Sequence, residues 1–310
     1  MSLDPQIAGQ IRSLNNAFPR VEAMTAAQAR ATIRARFVPA TQPETLASVH
    51  DQTVKGPGGE IAVRIYRPAA ERRLPALIYA HGGGFVFCDL DSHDELCRHI
   101  ANHASALVIS VAYRLAPEHP WPAGAEDMFA VTTWTADNAN ALGADPSRLC
   151  VGGDSAGGNL AAATALMARD RSGPALAVQL LIYPTLAADF GTESYRLFGT
   201  GYYNPATAMR WYWDQYVPFA GDRENPYAVP LYADPRGLPP AIVVTAGHDP
   251  LRDDGLAFGR NLSHAGVPIV RRHYEGAIHG FMTMPGLNLA RRARREVCAD
   301  LARRLLTPTR

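Results

Sequence analysis

Three residue types that together perform nucleophilic catalysis occur in order along the chain: Ser155, Asp249 and His279. A serine hydroxyl is a weak nucleophile at neutral pH and needs a base to take its proton. A histidine suits that task and can return the proton to a leaving group. A buried carboxylate holds the imidazole in one tautomer. The set predicts acyl transfer, with Ser155 attacking, His279 moving the proton and Asp249 orienting His279.

Ser155 lies in a glycine-rich stretch, 151–160, that reads VGGDSAGGNL. Apolar residues come before it and helix formers follow, so the order is strand, sharp turn, helix. The G-x-S-x-G spacing at such a turn lifts the serine hydroxyl above the sheet. The N–H groups at the start of the helix then point towards the reacting centre. A phosphate-binding loop is the alternative, but neither G-x-G-x-x-G nor G-K-[ST] occurs here.

A second glycine cluster, His81-Gly82-Gly83-Gly84-Phe85, follows the apolar run 76–80. Three successive glycines are entropically costly, so they call for a reason. Their bare backbone N–H groups can face a substrate oxygen that becomes negatively charged. A flexible turn explains the cluster equally well from the residues alone.

Several other histidines and carboxylates compete for the catalytic roles. We expect His81 to brace the glycine loop through its ring, and His248 to point away from the acid that follows it. Asp253 and Asp254 fall inside the next predicted helix. Asp154 is expected to hydrogen-bond within the turn that carries the serine.

A possible metal site is suggested by His99 and His103, one turn apart on a predicted helix over 92–104 with His93 nearby. The H-E-x-x-H zinc motif needs Glu after the first histidine, and Ile100 stands there. We therefore expect a solvated helix face, and neither a metal nor a cofactor.

Strands alternate with helices along most of the chain, which predicts a mostly parallel sheet flanked by helices. Because the carboxyl ends of parallel strands meet at one edge, the candidate residues are brought together there. The predicted strands cover 49–54 and 61–67 (an edge hairpin), 76–80, 107–111, 149–151, 177–183, 241–247 and 269–274. The predicted helices after the hairpin cover 92–104, 126–136, 159–167, 205–216, a stretch that includes Asp253 and Asp254, and an Arg-rich 287–306. We expect the basic face of this last helix to be solvated rather than bound to a membrane.

The predicted catalytic domain is formed by 46–184 and 221–310. Residues 1–45 are predicted to be helical, and 185–220 interrupt the alternation with a crowd of aromatic residues. We expect these two segments to form a cap over the site; simple packing onto the body is the alternative. Six rings are expected to wall an apolar pocket around the serine: Tyr202, Tyr203, Trp211 and Tyr212 above, Phe85 and Phe87 below.

The composition excludes several classes of function. A chain of 310 residues, 47% hydrophobic, is long enough for one large α/β domain with an insertion. The net charge of +1 disfavours a nucleic-acid partner. No signal-peptide pattern and no run of about 18 apolar residues is visible, so no membrane partner is expected. Four scattered cysteines without C-x-x-C indicate reduced thiols of a cytoplasmic protein. We expect the protein to be a monomer or a homodimer.

With these motifs in place, the sequence resembles the hormone-sensitive-lipase-like carboxylesterases, the bacterial family IV esterases of the α/β-hydrolase superfamily. The resemblance covers nearly the whole chain, with six motifs in the same order. They are 81–85 (HGGGF), 113–118 (YRLAPE), 152–160 (GGDSAGGNL), 237–241 (GLPPA), 249–253 (DPLRD) and 278–281 (IHGF). Ala112 and Val229 depart from the family pattern, and neither is a candidate catalytic residue.

The resemblance implies an α/β-hydrolase fold with a helical cap and a triad of Ser155, Asp249 and His279. It also implies an oxyanion hole made by the N–H groups of Gly83, Gly84 and Ala156.

The expected activity is hydrolysis of small-molecule carboxylic esters with short to medium acyl chains through an acyl-enzyme. A non-catalytic small-molecule receptor on the same fold is one alternative, which the presence of His279 disfavours. An amidase or a lactonase using the same triad is another, and it remains open.

Overall fold

The computed structural model describes residues 2–68 and 73–306, and within them a single eight-stranded sheet carries the architecture. A few residues of the predicted segments lie outside the described residues: Met1, 69–72 and 307–310. The strand order across the sheet is β1-β2-β4-β3-β5-β6-β7-β8. The strands are β1 Ser48–Gly56, β2 Gly59–Arg67, β3 Leu74–Ala80, β4 Leu107–Val111, β5 Ala144–Asp154, β6 Val178–Ile182, β7 Ala241–His248 and β8 Ile269–Ile278.

The sheet is mostly parallel, as the alternation of strands and helices predicts. The hairpin β1–β2 lies at one edge, and β2 pairs antiparallel with β4. Every pairing from β4 through β3 to β8 is parallel. Each residue of β3, β4, β6 and β7 is buried, which is why these strands are largely apolar in sequence. Helices must therefore cover both faces.

The helices bury two apolar clusters, one on each face of the sheet. One cluster takes side chains from α4, α5 and α8, and the other from α3 and α9, which contact each other. The helices are α1 Pro5–Ala17, α2 Ala26–Ala35, α3 Asp94–Ala104, α4 Ala123–Asp137, α5 Ala156–Asp170, α6 Glu193–Phe198, α7 Ala206–Tyr216, α8 Arg252–His264 and α9 Asn288–Leu306.

The N-terminal segment is less helical than expected. Within this segment the α-helices are α1 and α2, and residues 36–47 are not helical. Pro39 and Pro43 lie in this stretch; proline lacks the N–H that a helix interior needs and disfavours helical geometry in the residue before it. The prediction of helix up to residue 45 is therefore wrong over its last ten residues.

Three parallel strands end beside one another and place the candidate residues. β5 ends at Asp154, immediately before Ser155, β7 ends immediately before Asp249, and β8 ends immediately before His279. β5, β6, β7 and β8 are successive neighbours in the sheet, so their carboxyl ends form one edge.

Candidate active site

Ser155 occupies a strained turn between β5 and α5. Its φ of 54° and ψ of −115° lie in a region that non-glycine residues rarely adopt. Its backbone N–H donates to the carbonyl of Ile182, 2.8 Å away, which fixes the turn on the neighbouring strand. A Cβ on Gly157 would overlap the carbonyl oxygen of Ala80. The glycine thus lets α5 start directly against β3.

His279 joins the serine to the acid. Its Nε2 lies 2.9 Å from Ser155 Oγ, and its Nδ1 lies 2.8 Å from Asp249 Oδ2. Asp249 is fully buried, and its other oxygen accepts the N–H of Leu251 at 2.8 Å. In this arrangement Nδ1–H donates to the carboxylate, which leaves the Nε2 lone pair facing the hydroxyl proton. The structure thus brings together the three residues that the sequence singled out.

The glycine loop and the start of α5 flank the serine. Gly83 and Gly84, with φ of 113° and 58°, line a cavity of about 120 Å³ together with Ser155 and His279. Ala156 is the first residue of α5, where backbone N–H groups have no intrahelical acceptor. The backbone donors that the resemblance implies therefore come from two segments that meet at the serine.

The contacts of Asp154 contradict the expectation that its side chain hydrogen-bonds within the turn that carries Ser155. Its Oδ1 accepts the N–H of Gly82 at 2.9 Å and the hydroxyl of Tyr79 at 2.8 Å, and lies 3.1 Å from His93 Nε2. Burial opposes its ionisation, but the charge and hydrogen bond of His93 outweigh burial and lower the pKa of the carboxyl. Because β3 and β5 are adjacent and parallel, the carboxylate reaches across to hold the glycine loop.

The competing histidines lie as expected. The His81 ring stacks on Tyr113 with centroids 4.5 Å apart, and its Nδ1 donates to the carbonyl of Gly82 at 2.7 Å. Burial and the nearby His93 lower the pKa of His81 to about 4, so the ring is neutral. His248 turns its Nδ1 to the backbone carbonyl of Glu275, 2.9 Å away, and not to the site.

Only part of the predicted aromatic wall faces the cavity. Tyr203, Tyr212 and Phe87 line it. Phe85, Tyr202 and Trp211 are not among its lining residues: Phe85 stacks on Tyr216 at 3.6 Å, Tyr202 stacks on His248 at 5.4 Å, and Trp211 packs against the edge of Tyr212. The prediction is wrong for these three rings because their backbone directs them elsewhere.

The N-terminal segment supplies a wall residue that the sequence did not single out. Phe18 lines the cavity and meets Tyr203 edge to face, with ring centroids 5.1 Å apart. Asn15 joins the same two segments, because its side chain donates to the carbonyl of Gly201 and accepts the N–H of Tyr203. Cys88 and Asn204 also line the cavity. Nothing in their local sequence marks these residues.

The two histidines on α3 are not equally solvated. His103 is exposed, but only 12% of the His99 side chain is accessible, so the expected solvated face is wrong at His99. The covering residue is Glu44, whose carboxylate lies 2.7 Å from His99 Nδ1.

The chain is similar to known proteins in both sequence and structure. The family model described as "alpha/beta hydrolase fold" matches residues 77–283. A carboxylesterase of Mycobacterium tuberculosis is 40% identical over 90% of this chain and 89% of its own length. An esterase of the same species is 41% identical over 82% of this chain and 81% of its own. An ethyl acetate hydrolase of Pseudomonas putida is 35% identical over 92% and 93% of the two chains.

Among solved structures, the hyperthermophilic esterase from the archaeon Pyrobaculum calidifontis superposes with a TM-score of 0.90. It is 39% identical in sequence, and the match covers 98% of this chain and 99% of that one. Within residues 2–68 and 73–306, no helix has the length and apolar character needed to cross a bilayer.

Proposed function

Because the chain belongs to the hormone-sensitive-lipase-like carboxylesterases of the α/β-hydrolase family and is a carboxylic ester hydrolase, we propose that Ser155, His279 and Asp249 perform the hydrolysis. One observation carries this assignment: an unbroken line of contacts, 2.9 Å from Ser155 Oγ to His279 Nε2 and 2.8 Å from His279 Nδ1 to Asp249 Oδ2. These are the distances that proton transfer from the hydroxyl requires.

In the first half of the reaction, Ser155 Oγ attacks the ester carbonyl carbon while His279 Nε2 takes the hydroxyl proton. The carbonyl oxygen becomes an oxyanion, and the N–H groups of Gly83, Gly84 and Ala156 stabilise its charge. The intermediate collapses, the bond to the alcohol oxygen breaks, and His279 gives the proton to the departing alcohol. Asp249 stabilises the imidazolium throughout without accepting its proton.

In the second half, His279 removes a proton from water, whose oxygen attacks the acyl carbon bonded to Ser155. The bond between that carbon and Oγ breaks, and the proton returns from His279 to the serine. The carboxylic acid leaves and the enzyme is restored. No step needs a group beyond the residues named and water.

We assign the role of cap to residues 1–45 and 185–220. Phe18 from the first segment and Tyr203 and Tyr212 from the second line the cavity over Ser155. The hydrogen bonds of Asn15 to residues 201 and 203 join the two segments. Removing water from the cavity strengthens the interactions that stabilise the oxyanion.

The cavity supports a preference for short to medium acyl chains. Its volume of about 120 Å³ suits a short chain, and a second cavity of about 280 Å³ also has Cys88 in its lining. Ile33, Phe37 and Leu115 give that second cavity apolar walls suited to further methylenes, beside the charged side chains of Arg30, Arg34 and Asp89. Each buried methylene contributes about 0.8 kcal/mol, so kcat/KM rises until the space is filled. A relative named for ethyl acetate hydrolysis agrees with the short end of this range.

The test is kcat/KM on p-nitrophenyl esters from acetate to palmitate, with a matched p-nitroanilide and a lactone. We expect a maximum at about four to eight acyl carbons and a burst of p-nitrophenol when deacylation limits the rate. A maximum at dodecanoate or longer, or a jump in rate above the solubility limit of the substrate, would refute the preference for short to medium acyl chains. Faster cleavage of the anilide or the lactone would assign the triad to amides or lactones.

We also propose that the protein works in the cytoplasm, as a monomer or homodimer, on small-molecule esters. All four cysteines are free thiols, and burial raises the pKa of Cys150 and Cys298 to about 12. Neutral thiols of this kind suit a reducing compartment.

A further inference from the structure

Three side chains with metal-binding atoms converge on α3, outside the cavity that holds Ser155. His99 and His103 lie one helical turn apart, and their rings stack with centroids 4.0 Å apart. Glu44 reaches them from the segment that joins α2 to β1. The three candidate ligand atoms all lie within 4.8 Å of one another.

The separations suit a single ion. His99 Nδ1 lies 2.7 Å from one oxygen of Glu44, and His103 Nε2 lies 3.6 Å from the other. Tetrahedral zinc bound at about 2.0–2.1 Å places its ligand atoms about 3.3 Å apart. The two distances fall on either side of that value. The three ligand atoms therefore lie at separations that a single ion can bridge.

Further contacts hold Glu44 in position. Asn102 Nδ2 donates to its carboxylate at 2.9 Å, and Arg98 donates to its backbone carbonyl at 3.2 Å. The Nε2 atom of His99 is buried and has no hydrogen-bond partner among the described residues. The nitrogen of His99 that faces Glu44 is Nδ1, so Nδ1 is the candidate ligand atom. The contacts of Asn102 and Arg98 fix the orientation of Glu44, as outer contacts do in metal sites.

We propose that Glu44, His99 and His103 bind a divalent first-row transition-metal ion, with zinc the best match. Two imidazoles and one carboxylate are a donor set that zinc takes in proteins, and they disfavour magnesium and calcium, which prefer oxygen ligands. His103 is 46% exposed, so water reaches the fourth position.

Zinc bound here would tie the segment between the N-terminal helices and β1 to the body of the protein. An ion that binds the folded chain and not the unfolded chain raises the melting temperature by mass action. The site shares no residue with the catalytic triad or the glycine loop. Of its residues only Glu44 lies in the segment 1–45 assigned to the cap, so esterase activity of the His103 variant serves as a control for folding.

The test uses full-length protein freed of metal with EDTA and then titrated with zinc chloride by calorimetry. We expect one zinc ion per chain and a rise in Tm of about 4 °C at a hundredfold excess over Kd. His103→Ala and Glu44→Gln should each weaken binding by at least about tenfold. His264→Ala, which removes an exposed histidine elsewhere on the surface, is the matched control and should bind like the wild type.

Metal-free wild type and His103→Ala should hydrolyse a short ester equally well, which shows that both are folded. The circular dichroism spectrum of Glu44→Gln should match that of the wild type. Magnesium chloride in place of zinc should give no heat and no rise in Tm. Absence of zinc binding by the active wild type would overturn the proposal. Binding that survives in both His103→Ala and Glu44→Gln, or that falls equally in His264→Ala, would overturn it as well.

Discussion

Asp254→Asn is expected to change how the stability of the protein depends on pH. Asp254 is buried on α8, where one carboxylate oxygen accepts the N–H groups of Leu186 and Ala187 at 2.9 and 3.1 Å. The other oxygen is buried without a hydrogen-bond partner among the described residues. Burial dominates over the two hydrogen bonds and raises the pKa of the carboxyl to about 7.

The sign follows from comparing folded and unfolded chains. An unfolded Asp ionises near pH 4, so between about pH 4 and 7 the folded protein holds a proton that the unfolded chain has released. Its contribution to stability is complete below pH 4 and is lost as the pH rises through 7. From pH 5 to 8 the loss amounts to roughly 3 kcal/mol. For a chain of this length, that corresponds to roughly 4 °C in Tm.

The assay is thermal unfolding of the wild type and Asp254→Asn from pH 5 to 8. Asparagine keeps an oxygen that accepts the two backbone N–H groups but does not ionise. The variant therefore does not lose this part of the stability as the pH rises. We expect the Tm of the variant minus that of the wild type to increase by about 4 °C over this range. Parallel curves would refute the reasoning, because they would mean that Asp254 is ionised in the folded protein throughout.

The neighbouring Asp253→Asn is the matched control. Burial opposes ionisation of Asp253, but hydrogen bonds from Arg252 and the N–H of Ser194 outweigh it and lower the pKa of the carboxyl. The contribution of the ionised Asp253 carboxylate to the stability of the wild type is therefore present at every pH above about 4. Asp253→Asn should destabilise the protein by a similar amount at pH 5 and at pH 8, and a gap that changes with pH would count against the assignment.

Two further substitutions test the proposed chemistry. Ser155→Ala should lower kcat by at least roughly 10⁴-fold with an unchanged circular dichroism spectrum, and hydrolysis near the wild-type rate would remove Ser155 from its role. In Gly84→Ala the new Cβ would lie 2.5 Å from the Tyr212 ring at a φ of 58°, so the loop must shift and move the N–H of residue 84. We expect kcat to fall by about 10²-fold or more, the effect of losing one oxyanion donor. Adding Tyr212→Ala should recover part of that loss. Unchanged activity of Gly84→Ala alone would exclude the glycine loop from the oxyanion hole.

The juxtaposition of Ser155, Asp249 and His279 was predictable because each follows directly on a strand. Parallel strands end at a common edge, so sequence position alone nearly fixes spatial position. The partner of Asp154 was not predictable in this way. It depends on the register between β3 and β5, which sets Ala80 beside Gly153, and no local pattern encodes that register.

The cavity walls and the α3 cluster show where the sequence carries too little information. The aromatic crowd over 185–220 predicts rings near the site, but the direction of each ring depends on its backbone. Phe85 has a φ of 65° and stacks on Tyr216 instead of facing the cavity. The contact between Glu44 and His99 joins positions 55 residues apart, without a motif at either. Such contacts follow from tertiary packing alone.

The order of the strands also bears on how the protein is made. Ser155 and His279 are 124 residues apart, and His279 follows β8, the strand at the far edge of the sheet. At about 5–20 residues per second, a ribosome needs roughly 6–25 s to pass from one to the other. Throughout that interval the growing chain carries the nucleophile without its base. Hydrolysis by the proposed triad therefore begins only with chains whose synthesis has passed residue 279.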